Sequence, residues 1–417
     1  MKQIRILGGN TLSGTIKIGG AKNSAVALIP ASILSDGEVK IDNIPNISDI
    51  DALNEILEYL GAKVNINKGL ITIDSSSIEN KDIPKEISSK LRASYYFMSA
   101  LLGKYKHVSM YFPGGCKIGA RPIDQTLKGF RALGAVVKEE NNKFTIDAEK
   151  LIGGHVYLDM PSVGATINTM LVAVRAEGIT IIENAAKEPE IVNVATFLNN
   201  MGAKISGAGT SAIRIEGVKK LKGCFSEVIP DRIEAGTYII AGALAGKNLK
   251  VENIIPEHIE ALTLKLKEMG VDIKIERDYA VVNKTDNLKS INVRTLGYPG
   301  FPTDLQQPLT TLLTQCKGVS LLKETIYENR FQNVPYLADM GAHIGIEGRM
   351  LKVKGPTKLI GTEVVATDLR AGACLVLAGL LANGETIVKD IEHVLRGYEN
   401  IIDKLTKVGA KISLEEI

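Results

Sequence analysis

The segment 112–124 combines residue types from which a reactive site can be built. It is rich in glycine and places a single cysteine, Cys116, beside Lys117 and close to Arg121. Neighbouring cations favour the thiolate form of a cysteine and raise its reactivity. Glycines let a loop move and let its backbone approach a ligand closely. The pattern predicts a reactive loop, although a surface loop with an incidental thiol would have the same composition.

Polar and charged residues also lie at the predicted starts of helices that are otherwise rich in small apolar residues. These starts carry Lys22 and Asn23, Lys90 and Arg92, Ser162-Val163-Gly164, Asp231-Arg232, Asp304, and Asp368 with Arg370. Helix N-termini present unpaired N–H groups and the positive end of the dipole, so anions bind there. The aspartates and the serine could simply cap their helices. Lysine and arginine oppose the dipole at this end, so we expect a polyanionic ligand such as a phosphate ester.

A six-fold repeat positions these helices. A helical stretch ends in a short glycine motif and continues into a strand at Gly61, Gly134, Gly202, Gly270, Gly341 and Gly409, which by subtraction are 73, 68, 68, 71 and 68 residues apart. Such regularity indicates an internal repeat. A glycine just after a helix is typical of a left-handed backbone, and the alternating pattern that follows predicts a half-buried strand. Each repeat therefore predicts a unit of the βαβαββ type.

The sixth repeat ends before its last hairpin strand. The spacing of Ile4, Ile6 and Gly8, followed by Leu12 and Gly14, matches that missing strand and the segment after it in other repeats. We therefore expect residues 1–21 to complete the sixth unit. The predicted fold is α/β, with one domain over 22–229 that carries the Cys116 loop and a second formed by 1–21 and 230–417.

Composition excludes several classes of protein. With 417 residues, 50 Lys+Arg against 47 Asp+Glu and no Trp, the chain lacks the basic surface and the stacking aromatics of a nucleic-acid-binding protein. The longest small-apolar run, 371–382, is too short to span a membrane, and the N-terminus lacks a signal peptide. Four separated cysteines and five scattered histidines indicate no disulfide framework, no metal site and no cofactor. We expect a cytoplasmic protein that binds small molecules.

Together these motifs resemble the enolpyruvyl transferases that act on UDP-N-acetylglucosamine. The resemblance runs from end to end and rests on Gly20-Ala21-Lys22-Asn23, the Cys116 loop through Arg121-Pro122, Ser162-Val163-Gly164-Ala165-Thr166, Glu183-Asn184-Ala185-Ala186, Pro230-Asp231-Arg232-Ile233-Glu234, Phe301-Pro302-Thr303-Asp304, Glu328-Asn329-Arg330-Phe331, Ala366-Thr367-Asp368-Leu369-Arg370 and Arg396-Gly397-Tyr398. It implies an inside-out α/β barrel of two domains, each with three units. It also implies transfer of the enolpyruvyl group of phosphoenolpyruvate to the sugar 3-hydroxyl, with release of phosphate, as the first committed step of peptidoglycan precursor synthesis.

The resemblance also implies a role for individual residues. Lys22, Arg121 and Arg396 would hold the donor phosphate, Arg370 would lie near the donor carboxylate, and Asn23 would lie beside both substrates. Asp304 would be the base near the sugar hydroxyl and Cys116 the acid at C3 of the donor. Contacts to the UDP-sugar would come from Arg92, Arg121, Pro122, Ile123, Asp124, Gln125, Ser162, Val163, Gly164, Asp304 and Ile326.

Two positions depart from the commoner pattern of this family. Thr126 replaces a frequent histidine, and Met160 replaces a lysine that some members carry. Both belong to the nucleotide side, and both could mark a second paralogue. Two other interpretations remain open at this point. One is the sister enzyme that acts on shikimate 3-phosphate, and the other is a non-catalytic repeat scaffold.

Overall fold

The computed structural model describes residues 2–111 and 122–416. Contacts among these residues divide the chain into two compact units. We call them the terminal unit, which contains residues 2–19 and 230–416, and the middle unit, which contains residues 20–111 and 122–229. The first crossing between the two units thus follows residue 19.

The described residues form short helices and strands that alternate along the chain. The helices are α1 (Lys22–Ala31), α2 (Ser48–Leu60), α3 (Lys85–Ser88), α4 (Tyr95–Tyr105), α5 (Asp124–Ala132), α6 (Val163–Ala173), α7 (Pro189–Asn200), α8 (Arg232–Ala245), α9 (Glu260–Met269), α10 (Gln306–Leu313), α11 (Val334–Asp339), α12 (Leu369–Leu381), α13 (Glu392–Leu395) and α14 (Ile401–Lys407). Single 3-10 turns span Ser32–Leu34, Arg92–Ser94, Pro256–Ile259 and Thr303–Leu305. The chain is therefore an α/β protein, as predicted.

The strands are β1 (Lys2–Leu7), β2 (Leu12–Lys17), β3 (Val39–Asp42), β4 (Lys63–Asn67), β5 (Leu70–Asp74), β6 (His107–Tyr111), β7 (Val136–Glu140), β8 (Lys143–Asp147), β9 (His155–Tyr157), β10 (Ile179–Glu183), β11 (Lys204–Ser206), β12 (Ala212–Glu216), β13 (Phe225–Glu227), β14 (Gly246–Glu252), β15 (Asp272–Ile275), β16 (Tyr279–Asn283), β17 (Asn292–Arg294), β18 (Gly318–Lys323), β19 (His343–Glu347), β20 (Met350–Gly355), β21 (Glu363–Val365), β22 (Glu385–Lys389) and β23 (Lys411–Glu416). They form small mixed sheets of three or four strands. No helix among the described residues is both long enough and apolar enough to cross a membrane.

The sheets of the middle unit follow one plan. Their orders are β13-β3-β5-β4, β9-β10-β12-β11 and β6-β8-β7, and the last is extended by a parallel bridge from Ile83 to Met110. In each sheet an inner strand pairs antiparallel with the second strand of the hairpin that follows it. On its other side the inner strand pairs parallel with a segment from elsewhere in the same unit.

The terminal unit follows the same plan, with orders β2-β14-β16-β15, β17-β18-β20-β19 and β21-β22-β1-β23. In the last sheet the inner hairpin strand is supplied by the N-terminus. Strand β1 pairs antiparallel with β23 from Lys2–Glu416 to Leu7–Lys411, and with β22 on its other side. Strand β2 then joins β14 in parallel. The two ends of the chain are thus joined within one sheet.

Backbone conformation at the six repeat glycines agrees with the sequence prediction. Their φ angles are 101°, 93°, 104°, 88°, 99° and 103° for Gly61, Gly134, Gly202, Gly270, Gly341 and Gly409. These values lie in the left-handed region, which residues with a Cβ rarely adopt. The left-handed turn after each helix is therefore confirmed.

Asparagines lock the parallel edge segments to the inner strands. Asn43, Asn184 and Asn253 each follow an inner strand and have positive φ. Their Nδ2 atoms donate to the carbonyls of Val228, Leu158 and Ile18 at 2.8, 2.8 and 2.7 Å. Asparagine tolerates this backbone conformation while its amide replaces a ladder hydrogen bond.

Three helices of each unit are buried on almost every side. In the terminal unit these are α8, α10 and α12, and in the middle unit α1, α4 and α6. Helices that are apolar all round pack in a protein interior. Their starts can present polar groups, and Lys22, Asn23, Ser162, Asp304 and Arg370 lie at or directly before the start of one of these helices.

Candidate active site

Four side chains that can accept hydrogen bonds lie near the starts of the buried helices, and three of them cap their helices. Ser162 Oγ accepts from the N–H of Ala165 at 3.2 Å. Asp231 and Asp368 each accept two N–H groups of their own helices at 2.8 and 3.0 Å. Asp304, within the 3-10 turn Thr303–Leu305, makes no such cap. Its carboxylate is therefore available for another purpose.

Asp304 lies between two buried guanidinium groups. Arg330 Nη2 lies 2.5 Å from its Oδ1, and Arg370 Nη2 lies 3.1 Å from its Oδ2. The two arginine side chains are 3% and 5% exposed, whereas that of Asp304 is 26% exposed. Burial acts to raise the pKa of Asp304, but the charges of Arg370 and Arg330 outweigh it and hold the pKa well below its usual range. In this arrangement Asp304 is a charged but weakly basic carboxylate.

Arg370 is supported by an aromatic ring. Its guanidinium lies 5.3 Å from the ring of Tyr398, which is buried, and the Tyr398 hydroxyl lies 2.9 Å from Thr237 Oγ1. Burial acts to lower the pKa of Arg370, but the neighbouring Tyr398 and Asp304 raise it by more. Arg370 therefore remains charged and is held by α8 and by the turn after α13.

Two further predicted residues of this unit lie near these elements. Arg396 directly follows α13 and is partly exposed. The next residue, Gly397, packs so closely on Leu369 at the start of α12 that a Cβ there would lie 2.7 Å from a Leu369 methyl group. The backbone beside Arg396 is thus close to the helix start that carries Arg370. Ile326 follows β18 and is 40% exposed.

Glu324 is a buried carboxylate that the sequence analysis missed. Its Oε1 accepts from the N–H of Ile326 at 2.8 Å and from Thr295 Oγ1 at 3.0 Å. Its Oε2 accepts from Thr303 Oγ1 at 2.9 Å. Glu324 therefore ties the turn that carries Ile326 to the 3-10 turn that carries Asp304. A charged residue directly after an apolar strand is the only local signal of such a role.

In the middle unit, Lys22 is the first residue of α1 and pairs with Asp49 of α2. The Nζ–Oδ2 distance is 2.6 Å, and the side chains are 14% and 3% exposed. Asn23 follows and is partly exposed. A lysine at this end of a helix opposes the helix dipole, and Asp49 offsets that cost.

The structure brings Arg92 towards the start of α6. The Arg92 guanidinium lies 5.8 Å from the ring of Tyr95. A Cβ on Gly164 would lie 2.0 Å from the Tyr95 hydroxyl, so only glycine permits this contact. Ser162 and Val163 precede Gly164 and are partly exposed. Arg92 and Gly164 therefore both contact Tyr95.

The segment after the undescribed residues is braced by Gln125. Gln125 Nε2 donates to Asp124 at 2.8 Å and to Asp159 at 3.1 Å, and its Oε1 accepts from the Asp159 N–H at 2.8 Å. Lys128 Nζ lies 2.6 Å from Asp159 Oδ1. The contacts of Lys128 and Gln125 both lower the pKa of the Asp159 carboxyl, and the contact of Lys128 has the larger effect. The Gln125 amide is thus engaged within the chain. Pro122 and Asp124 are exposed, whereas Ile123 is buried.

Cys116 and Arg121 lie outside the described residues. The remaining cysteines differ from the setting predicted for Cys116. Burial raises the pKa of Cys224 to about 11, that of Cys316 to about 12 and that of Cys374 to about 11. Cys316 and Cys374 are fully buried within the core. All three thiols are protonated at neutral pH.

A buried carboxyl also lies at the first crossing between the units. Glu234 of α8 accepts from the N–H of Gly19 at 2.9 Å and from Lys404 Nζ at 2.6 Å. It is 4% exposed. Burial raises the pKa of Glu234 from 4.5 to about 7, because the attraction of Lys404 offsets only part of the desolvation.

Because the pKa of Glu234 is raised, we expect the stability of the protein to depend on pH. We expect the substitution Glu234→Gln to remove that dependence. Between about pH 4.5 and about pH 7 the folded state holds a proton that the unfolded state has lost, so the free energy of unfolding falls as the pH rises through this range. The contribution is about 3 kcal/mol. Chemical denaturation across this range should show the loss in the wild type and not in the variant. Glu268→Gln, on an exposed glutamate of α9 paired with Lys265, should retain the wild-type dependence. An unchanged pH dependence in Glu234→Gln would contradict the assignment.

Comparison with known proteins identifies the family to which this chain belongs. The model of the EPSP synthase (3-phosphoshikimate 1-carboxyvinyltransferase) family matches residues 6–405. The chain belongs to this family of enolpyruvyl transferases. It is 53% identical to UDP-N-acetylglucosamine 1-carboxyvinyltransferase 2 of Geobacillus kaustophilus (strain HTA426), over 100% of this chain and 97% of the relative. The same identity and coverage hold for the protein of that name in Bacillus subtilis (strain 168). The resemblance predicted from the sequence is confirmed.

Solved structures agree with the family. The enolpyruvyl transferase NikO from Streptomyces tendae superposes with a TM-score of 0.91 at 26% identity and covers 99% of both chains. EPSP synthase from Acinetobacter baumannii superposes with a TM-score of 0.78 at 19% identity and covers 100% of both chains. The second likeness concerns the fold alone. The enolpyruvyl transferase fold of this chain is thereby established.

Proposed function

We propose that this enolpyruvyl transferase transfers the enolpyruvyl group of phosphoenolpyruvate to the 3-hydroxyl of the sugar of UDP-N-acetylglucosamine. Phosphate is released, and the step is the first committed one of peptidoglycan precursor synthesis. The observation that carries the proposal is the full-length identity of 53% to relatives named for this acceptor. No metal or other cofactor is part of this proposal, and the cytoplasmic location expected from the sequence is consistent with the reaction.

The reaction is an addition followed by an elimination. The sugar hydroxyl loses its proton and its oxygen attacks C2 of the donor, while C3 takes up a proton. C3 then loses a proton and phosphate leaves from the tetrahedral intermediate, which restores the double bond. Asp304 takes the hydroxyl proton and Cys116 acts as the acid at C3. Asp304 lies in the 3-10 turn directly before the buried helix α10, in contact with Arg330 and Arg370.

Cations hold the two charges of the donor. Lys22, Arg121 and Arg396 contact its phosphate, and Arg370 contacts its carboxylate, with Asn23 beside both substrates. Fixed positive groups stabilise negative charge as it moves during the reaction. The partial exposure of Lys22 and Arg396 supports these roles, because each can reach a ligand.

The acceptor is held by residues at the other helix starts. Its contacts are Arg92, Arg121 to Gln125, Ser162 to Gly164, Asp304 and Ile326. The contact of Arg92 with Tyr95, and of Tyr95 with Gly164, supports a single surface for the UDP-sugar in the middle unit. The number 2 in the names of the relatives, together with Thr126 and Met160, favours the second paralogue of this enzyme.

The six similar sheets support the finer description of the fold. We describe each unit as three βαβαββ repeats arranged as an inside-out barrel, with the helices inside and the sheets outside. The common strand order of the sheets and the burial of α1, α4, α6, α8, α10 and α12 support this description.

Shikimate 3-phosphate is the second candidate acceptor, because the family model bears the name of that enzyme. Isothermal titration separates the two acceptors. UDP-N-acetylglucosamine should bind, whereas shikimate 3-phosphate and an unrelated sugar phosphate should give no saturable heat. Saturable binding of shikimate 3-phosphate alone would replace the proposed acceptor, and binding of neither would favour a scaffold.

Lys22→Ala is expected to weaken donor binding and to slow turnover. The lost contact weakens binding of the donor phosphate, and it costs more in the transition state, because the bridging oxygen gains negative charge as phosphate leaves. A charged contact that is well desolvated contributes roughly 2–5 kcal/mol to such an interaction. Steady-state kinetics should therefore show a higher KM for phosphoenolpyruvate and a lower kcat.

Lys143→Ala is the matched control for Lys22→Ala. Lys143 also pairs with an aspartate of the middle unit, since its Nζ lies 2.7 Å from Asp82 Oδ2, but the two side chains are 33% and 58% exposed. This variant should keep wild-type constants. Unchanged kinetics in Lys22→Ala would remove Lys22 from the donor site.

A further inference from the structure

The proposed function gives Asp304 and Arg370 roles that their observed ion pair does not allow at the same time. Asp304 must accept a proton from the sugar hydroxyl, and Arg370 must bind the donor carboxylate. In the structure Arg370 instead contacts Asp304 Oδ2, while Arg330 contacts Oδ1. A carboxylate with a cation on each oxygen is a poor proton acceptor.

We propose that the donor carboxylate and Asp304 compete for Arg370, so that Asp304 becomes an effective base only when the donor is bound. The proposal rests on the proposed function. The proposal adds an order of events to that function: the donor carboxylate binds Arg370, and only then does Asp304 become an effective base.

The surroundings of Arg370 suit an exchange of partners. The backbone of Arg370 is fixed, because its N–H donates to the Asp368 cap. Its guanidinium rests against Tyr398, whose hydroxyl is held by Thr237. The end of the side chain can therefore turn from one carboxylate to another while the ring contact is kept.

Arg330 resembles Arg370 in its burial and also lies near an aromatic ring, 5.5 Å from that of Tyr327. It is expected to stay with Asp304 because it makes the shorter contact, with its Nη2 2.5 Å from Oδ1 against 3.1 Å between Arg370 Nη2 and Oδ2. The described charged groups that act on Asp304 are Arg370, Arg330 and Arg232. Once Arg370 has turned away, one direct cation remains, and the carboxylate regains an oxygen that can accept the hydroxyl proton. That proton moves to Asp304 as the oxygen–C2 bond forms.

A double-mutant cycle on donor binding tests the competition. The probe is phospholactate, the saturated analogue of phosphoenolpyruvate, which carries both anionic groups and cannot undergo addition. Its dissociation constant is measured by titration at saturating UDP-N-acetylglucosamine. The proteins are the wild type, Asp304→Asn, Arg370→Gln and the double variant, with Arg330→Gln and its double variant as the matched control. Thermal unfolding checks that each protein is folded.

Asp304→Asn should tighten phospholactate binding on the order of tenfold, because Arg370 no longer has a competing partner. The tightening should largely disappear in the Arg370→Gln background and persist in the Arg330→Gln background. Equal tightening in all three backgrounds would show simple charge repulsion and overturn the competition, while leaving the proposed function intact. Absence of any binding to the wild type would overturn both.

Discussion

Asp304→Asn is expected to lower kcat by a factor of about 10²–10⁴, the range that a general base contributes to proton transfer. Asparagine has nearly the shape of aspartate but cannot take the proton of the sugar hydroxyl. The UDP-sugar should still bind within a few-fold of the wild type, since most of its proposed contacts lie elsewhere. Kinetics in both substrates, together with titration of the acceptor, separate these effects.

Folding must be checked in the same Asp304→Asn preparation. The substitution leaves Arg330 and Arg370, which are 3% and 5% exposed, without the charge that they share. Breaking a buried pair in this way costs about 3–5 kcal/mol of stability. Asp339→Asn, an exposed aspartate at the end of α11, should leave both stability and turnover unchanged. Turnover within a few-fold of the wild type in Asp304→Asn would contradict its role as the base.

Cys116 is expected to be the single cysteine that a phosphonate epoxide modifies. Fosfomycin combines an anion that mimics the donor with an epoxide carbon that a thiolate attacks, which opens the ring. Burial keeps the pKa values of Cys224, Cys316 and Cys374 at about 11, 12 and 11, so these thiols are unreactive. The sequence places Lys117 and Arg121 close to Cys116, and we expect these cations to increase its thiolate fraction. Peptide mass mapping should find the adduct at Cys116, formed faster when UDP-N-acetylglucosamine is bound.

Substitutions at Cys116 test its role in the reaction as well. Cys116→Ser should lose activity by about 10²-fold or more, because a hydroxyl is a far weaker acid at C3, and it should resist modification. Cys116→Asp should keep part of the activity, because a carboxylic acid can donate the proton, and it should resist fosfomycin. Modification at Cys224, or full activity in Cys116→Ala, would show that this loop is not the reaction centre.

Local features of the fold were predictable from local sequence. A glycine after each helix is enough to predict the left-handed turn, because few other residues adopt that conformation. The spacing of Ile4, Ile6 and Gly8 indicated a hairpin strand at the N-terminus, and β1 occupies the inner position beside β23. Such signals depend on residues that are close in sequence. Each repeat could also be compared with the other repeats of the same chain.

The electrostatics of the site were not predictable in this way. Asp231, Asp304 and Asp368 share the same local pattern, yet two of them cap helices and Asp304 faces Arg330 and Arg370. Partners 26 and 66 residues away decide the difference. Glu324 and Glu234 were missed for the same reason, since their burial and partners arise only in the folded chain.

The most direct measurement is phosphate release by the purified chain from phosphoenolpyruvate. With UDP-N-acetylglucosamine present, phosphate should appear in an amount equal to the acceptor consumed, and mass spectrometry should find the acceptor enlarged by an enolpyruvyl group. With shikimate 3-phosphate in its place, or with no acceptor, release should stay at background. Release that requires shikimate 3-phosphate, or none with UDP-N-acetylglucosamine, would contradict the proposed function.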